Sequence, residues 1–187
     1  MSGTIFPKIQ HAEKASGTIL TATRRVWDFV TLNGLTIVSG GQTGADRAGL
    51  DFAIAHGLPH GGWCPLGRRA EDGPLHERYQ MRETEGAGYR QRTKRNVADS
   101  DATLIFNIGE LSDGSLATLR FAERAGKPVR VVALDMIDLA AESANIREWI
   151  ATHAIAVLNI AGPRESKRPG VYQQTMDFLQ AVHVARM

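Results

Sequence analysis

Short β-branched apolar runs alternate along this chain with segments whose apolar positions recur at helical spacing. Leu35 to Val38 is such a run, and it stops at Ser39-Gly40-Gly41, which reads as a buried strand meeting a turn. From Ala45 the period changes. Ala48, Leu50, Phe52, Ala53, Ile54 and Ala55 populate one broad helical face, and Gly57 supplies its stop. The pattern then predicts a short strand over Gly61–Pro65, a helix over Tyr89–Val97, a strand over Ala102–Asn107 and a helix over Leu116–Ala125. A strand over Val129–Leu134, a helix over Ala144–Thr152, a strand over Ala154–Ile160 and a closing helix from Val171 to about Val184 complete it. Five strands separated by helices predict an α/β fold: a Rossmann-like, doubly wound, mainly parallel sheet of about five or more strands flanked by helices. Residues 34–187 form a single ligand-binding domain in this reading. Residues 1–33 form an N-terminal extension, partly helical, with Ile19, Leu20, Val26, Trp27, Phe29 and Val30 spaced for a helix between Thr18 and Leu32.

Composition narrows the function classes. A chain of 187 residues with 43% hydrophobic and 22% charged residues suits one globular domain with its own core. The formal charge of +2 is too small to predict nucleic acid as a partner, and no apolar run approaches the ~20 residues that cross a bilayer. With a single cysteine, Cys64, neither a disulfide framework nor a multi-thiolate metal site can form. Lys8, His11, Glu13 and Lys14 interrupt the N-terminal stretch where a signal peptide would carry its apolar core, so a cytoplasmic location is expected.

The candidate chemistry begins where the first strand meets the first helix. Gly40, Gly41 and Gly44 let the main chain approach a ligand, Gln42 and Thr43 add side-chain donors, and the helix start supplies unpaired N–H groups and partial positive charge. A tight connection alone does not require three glycines with Gln and Thr between them. The spacing is neither Walker A nor GxGxxG. The backbone amides of residues 40–44 are therefore expected to bind a phosphate-like anion, and an aspartate at Gly44 to repel it with the fold intact.

Three further segments carry candidate donors. The long segment Leu66–Gly88 opens with Arg68 and Arg69 just beyond a strand end, where open parallel sheets place ligands. Arg92 and Asn96 share a helical face at i, i+4 spacing. Gly114, Ser115 and Thr118 stand at a helix start where they serve either an anion or, in the case of Ser115, as an N-cap. Ser166, Lys167 and Arg168 precede the last helix, where basic residues oppose the helix dipole and are better explained by a bound anion.

Together, Ile37-Val-Ser-Gly-Gly-Gln-Thr-Gly-Ala-Asp-Arg-Ala-Gly-Leu-Asp51, Trp63-Cys-Pro, Gly67-Arg-Arg-Ala-Glu-Asp-Gly73, Arg92-Thr93 with Asn96-Val97, and Leu158-Asn-Ile-Ala-Gly-Pro-Arg-Glu-Ser166 resemble the molybdenum cofactor carrier family. That family is related to the lysine-decarboxylase-like and Lonely Guy nucleotide-ligand superfamily. The resemblance covers about residues 34–183. It implies a Rossmann-like, homo-oligomeric binding protein for an anionic ligand, the molybdenum cofactor (molybdopterin), with transfer to molybdoenzymes. The metal would then arrive held by the pterin's own sulfurs, with no metal site on the protein. The alternative is a sensor of a nucleotide-derived ligand or a phosphoribohydrolase-like enzyme. The Lonely Guy enzymes carry a Pro-Gly-Gly-x-Gly-Thr-x-x-Glu loop, and here Phe121 stands where its glutamate would be. Cleavage would need another carboxylate, such as Glu71, Glu83 or Asp113.

Overall fold

The computed structural model describes residues 32 and 34–183. Except for Leu32, the helix expected over 18–32 lies outside the described residues. The elements in chain order are β1 (Thr36–Ser39), α1 (Ala45–Ala55), β2 (His60–Cys64), β3 (Arg69–Ala70), β4 (Gly73–Pro74), β5 (Met81–Glu83) and α2 (Tyr89–Ala98). There follow β6 (Ala102–Asn107), α3 (Asp113–Arg124), β7 (Val129–Ala133), α4 (Leu139–Thr152), β8 (Val157–Ala161) and α5 (Val171–His183).

Six strands form one sheet in the order β5-β2-β1-β8-β6-β7, and every pairing in it is parallel. Parallel strands need crossovers, and the intervening helices cover both faces. Helices α1, α5 and α4 pack side by side on one face, and α2 against α3 on the other. Interior strand β6 is buried at all six positions, which is why its sequence is a nearly unbroken apolar run rather than an alternating one. Phe52 of α1, Phe106 of β6 and Phe178 of α5 are fully buried with Leu104, Leu158 and Ile160. Removing side chains of this size from water supplies about 1.5–3 kcal/mol apiece toward folding.

Three sequence expectations shift. The strand expected from Ala154 begins at Val157, because Ala154 takes a left-handed turn (φ 47°) after α4. Helix α4 begins at Leu139, five residues earlier than expected, because the Asp138 carboxylate accepts the N–H groups of Ala140 and Ala141 and caps the start. The long segment 66–88 is also more ordered than a loop. It contains the β3–β4 hairpin and the edge strand β5, whose three residues, Met-Arg-Glu, are too short and too polar to announce a strand.

The topology positions the site. From β1 the chain crosses to β2 on one side, from β6 to β7 on the other, and β8 returns between β1 and β6. The carboxyl ends of β1, β8 and β6 thus lie side by side, and so do the loops that leave them. This is the place where open parallel sheets bind ligands.

Candidate functional site

These loops, with the first turns of α2 and α3, line a cavity of about 570 Å³. Gly44 brings two of the loops together. Its φ is 76°, and a Cβ there would stand 2.4 Å from the Pro163 carbonyl oxygen, so only glycine lets the β1–α1 loop press on the β8–α5 loop.

The glycine loop is less open than its sequence suggests. The Gly41 N–H donates to Ser39 Oγ (3.4 Å), the Gln42 N–H to Asp46 Oδ2 (3.4 Å) and the Thr43 N–H to Gln42 Oε1 (3.1 Å). Of residues 40–44, only Gln42 lines the cavity. Above Gly40 lies the Arg92 guanidinium, so close that a Cβ on Gly40 would meet Nη1 at 1.2 Å. Arg92 Nη1 donates in turn to Asp46 Oδ2 at 2.7 Å. Asp46 is 2% exposed and also receives the N–H groups of Gln42 and Gly162, so the protein's own carboxylate fills the role expected for a bound anion. Burial pushes the Asp46 carboxyl above the usual carboxylate range, against the opposing pull of Arg92.

What the loop does offer is a side-chain amide. Gln42 Oε1 accepts the N–H groups of Thr43 (3.1 Å) and Glu71 (2.8 Å), and this fixes which end of the amide is oxygen. Its Nε2 is buried with no partner among the described residues, and Arg92 Nε is in the same condition. Buried donors are nearly always satisfied in folded proteins, so two unsatisfied ones on residues lining one cavity make these atoms candidates for meeting a ligand acceptor.

The β3–β4 hairpin holds this arrangement in place. Glu71 accepts from the Thr43 hydroxyl and from Ser166 Oγ (2.6 Å), and Asp72 pairs with both terminal nitrogens of Arg47 at 3.0 Å. Arg47 also donates to the Gly41 carbonyl. Burial alone would raise the Glu71 carboxyl. The bonds from Ser166 and Thr43, with the charge of Arg164, outweigh it and hold Glu71 below the usual range.

The other sequence candidates divide. Gly114, Ser115, Thr118, Lys167 and Arg168 line the cavity with Gln42 and Arg92. Thr118 turns its hydroxyl back to the Gly114 carbonyl (2.8 Å), and Arg168 Nε donates to the Ile108 carbonyl (2.8 Å), tying the β8–α5 loop to the β6–α3 loop. Arg68 and Arg69 do not line the cavity. Arg68 instead braces the 66–88 segment by donating to the carbonyls of Leu75, His76 and Tyr79, while Arg69 is exposed on β3. Ser166 bonds Glu71, and Asn96 pairs its amide with both backbone groups of Trp63. Neither lines the cavity.

Residues 37–183 match the circularly permutated YpsA SLOG family. The chain belongs to that family. It is also similar to the crystal structure of a putative molybdenum carrier protein from Syntrophus aciditrophicus SB, with 50% identity and a TM-score of 0.78 over 80% of this chain and 94% of that one. No curated protein matches the chain.

In this SLOG-family member the cavity also draws on residues that sequence reasoning missed. Arg90 packs its guanidinium 5.5 Å from the Phe121 ring centroid and Arg164 lies 4.7 Å from that of Tyr89. Arg90, Arg164 and Tyr89 all line the cavity, together with Asp113, which the sequence offered only as a candidate carboxylate for cleavage. Arg90 stands two positions from Arg92, off the helical face that Arg92 shares with Asn96, and Arg164 stands in the family-like Ala161-Gly-Pro-Arg run, the one signal that pointed to it. The lining carries five cationic side chains (Arg90, Arg92, Arg164, Lys167, Arg168) against two carboxylates, Asp46 and Asp113. Among the described residues no group of three or more His, Cys, Asp or Glu side chains is placed to hold a metal ion, and no helix is long and apolar enough to cross a membrane.

Proposed function

We propose that this protein binds a small anionic, phosphate-bearing ligand at this cavity, and that the ligand is the molybdenum cofactor, carried and released to molybdoenzymes rather than transformed. The observation that carries the reading is the pair of buried, unpartnered donors, Gln42 Nε2 and Arg92 Nε, on a cavity with three more cations than carboxylates. Donors without partners in a low-dielectric site favour an ionised acceptor. The volume of about 570 Å³ falls in the range of small-molecule sites. Similarity to a putative molybdenum carrier protein supports the choice of cargo.

In this reading Gln42 Nε2 and Arg92 Nε bond phosphate oxygens, while Arg164 and the exposed Arg90 and Lys167 supply charge. The pterin's own sulfurs hold the metal, so the chain contributes no metal ligand. Native protein from a host that makes molybdenum cofactor is expected to co-purify with molybdenum and an oxidisable pterin fluorophore, measured on one sample. Absence of both from a protein that binds nucleotides would sink the carrier reading.

A second reading, cleavage of a nucleotide, draws on Asp46, a buried carboxyl with a raised pKa beside the cavity. Its acceptor capacity is taken up by Arg92, Gln42 and Gly162, which favours a positioning role. Release of free base from nucleoside monophosphates would revive the enzymatic reading.

A further inference from the structure

We propose that Asp113 selects the ligand's heterocycle, accepting two adjacent donors, a ring N–H and an amino group, on an edge shared by guanine and 2-amino-4-oxo pterins. The inference rests on the anion-binding reading above. Asp113 opens α3, takes a left-handed backbone (φ 46°) and lines the cavity. Asp46, the other carboxylate there, is spent on Arg92, but among the described residues no cation pairs with Asp113. A carboxylate in a site for anions lowers affinity by repulsion unless the ligand brings donors to meet it. Such a ligand is bipolar, anionic at one end and rich in N–H groups at the other.

The topology matches that polarity. Gln42 follows β1 and Asp113 follows β6, with β8 between them, which separates the two strands by about 10 Å. Gln42 and Asp113 thus join the cavity lining from loops that leave different strands. Arg164, which also lines the cavity, packs over the Tyr89 ring, and its guanidinium is a planar surface on which a flat ring can lie. Two parallel acceptors match two parallel donors. Adenine presents a donor beside an acceptor on its corresponding edge, and hypoxanthine lacks the amino group.

The test is calorimetry with pyrophosphate, GMP, IMP and AMP on wild type and Asp113→Asn. Asn tolerates the left-handed backbone as Asp does, so the variant is expected to fold. Wild type should bind GMP about tenfold or more tighter than IMP or AMP. Asp113→Asn should abolish that preference while binding pyrophosphate as tightly or more tightly. Pyrophosphate binding with equal GMP and IMP affinities, or a preference that survives in Asp113→Asn, overturns this inference alone. Failure of pyrophosphate and every nucleotide to bind overturns the anion-binding reading as well.

Discussion

Arg92 Nη1 lies 2.7 Å from Asp46 Oδ2, joining a helix on one face of the sheet to the first turn of a helix on the other. With side chains 14% and 2% exposed, the pair is taken out of water. Removing one partner of such a pair leaves an uncompensated charge and costs about 3–5 kcal/mol. Arg92→Ala is therefore expected to lower the denaturation midpoint strongly, and Asp46→Asn in the same chain to restore part of it. A full, unrescued loss in the double variant would mean that Arg92 acts through packing over Gly40 rather than through its charge.

Gln42→Glu tests the free amide donor directly. The new side chain keeps an oxygen for the N–H groups of Thr43 and Glu71 and replaces the free Nε2 donor with a second oxygen. A carboxylate buried there in place of a neutral amide also costs stability, so affinity is read on the folded variant. Pyrophosphate affinity should fall by about 10-fold to 100-fold, since a hydrogen bond to a charged group is worth about 1.5–3 kcal/mol. Calorimetry showing unchanged affinity would place the anion elsewhere.

Gly44 cannot serve that purpose. An added Cβ would meet the Pro163 oxygen at 2.4 Å and the Glu165 nitrogen at 2.8 Å, at a φ of 76°. Gly44→Ala is expected to destabilise the fold by more than about 1 kcal/mol. The aspartate variant, which from sequence alone should have kept the fold, is expected to lose stability and binding together. A thermal melt of Gly44→Ala that matches wild type would show that the two loops separate without cost.

The acid limb of stability has an identifiable contributor. The Asp101 carboxylate accepts the N–H groups of Val157 (2.7 Å) and Ala156 (2.9 Å), tying the turn before β6 to the start of β8. The Val157 bond, then the Ala156 bond, hold its carboxyl below the usual range. A group depressed in the folded state contributes stability that is present above its unfolded pKa of about 3.9 and lost as pH falls through the folded value. Melting temperatures across pH 2–7 should therefore converge for wild type and Asp101→Ala as pH drops below about 4. A gap that stays constant with pH would assign Asp101 no ionic role.

The strand-to-helix alternation, the parallel sheet and the place of the glycine loop were legible in the sequence because each expresses local periodicity, set by residues three, four or two apart. Boundaries slipped where a single side chain decides them, as Asp138 does for α4. The lining of the candidate cavity was legible in part. Gln42, Arg92, Gly114, Ser115, Thr118, Lys167 and Arg168 meet in one cavity, whereas Arg68, Arg69 and Ser166 turn to carbonyls, solvent and Glu71. Only tertiary structure could decide this, because a buried polar group takes whichever partner the topology brings to it. Arg92 reaches Asp46 across 46 residues, and the Glu71 N–H orients the Gln42 amide across 29. A sequence states which donors exist, but the converging loops determine which of them remain free for a ligand.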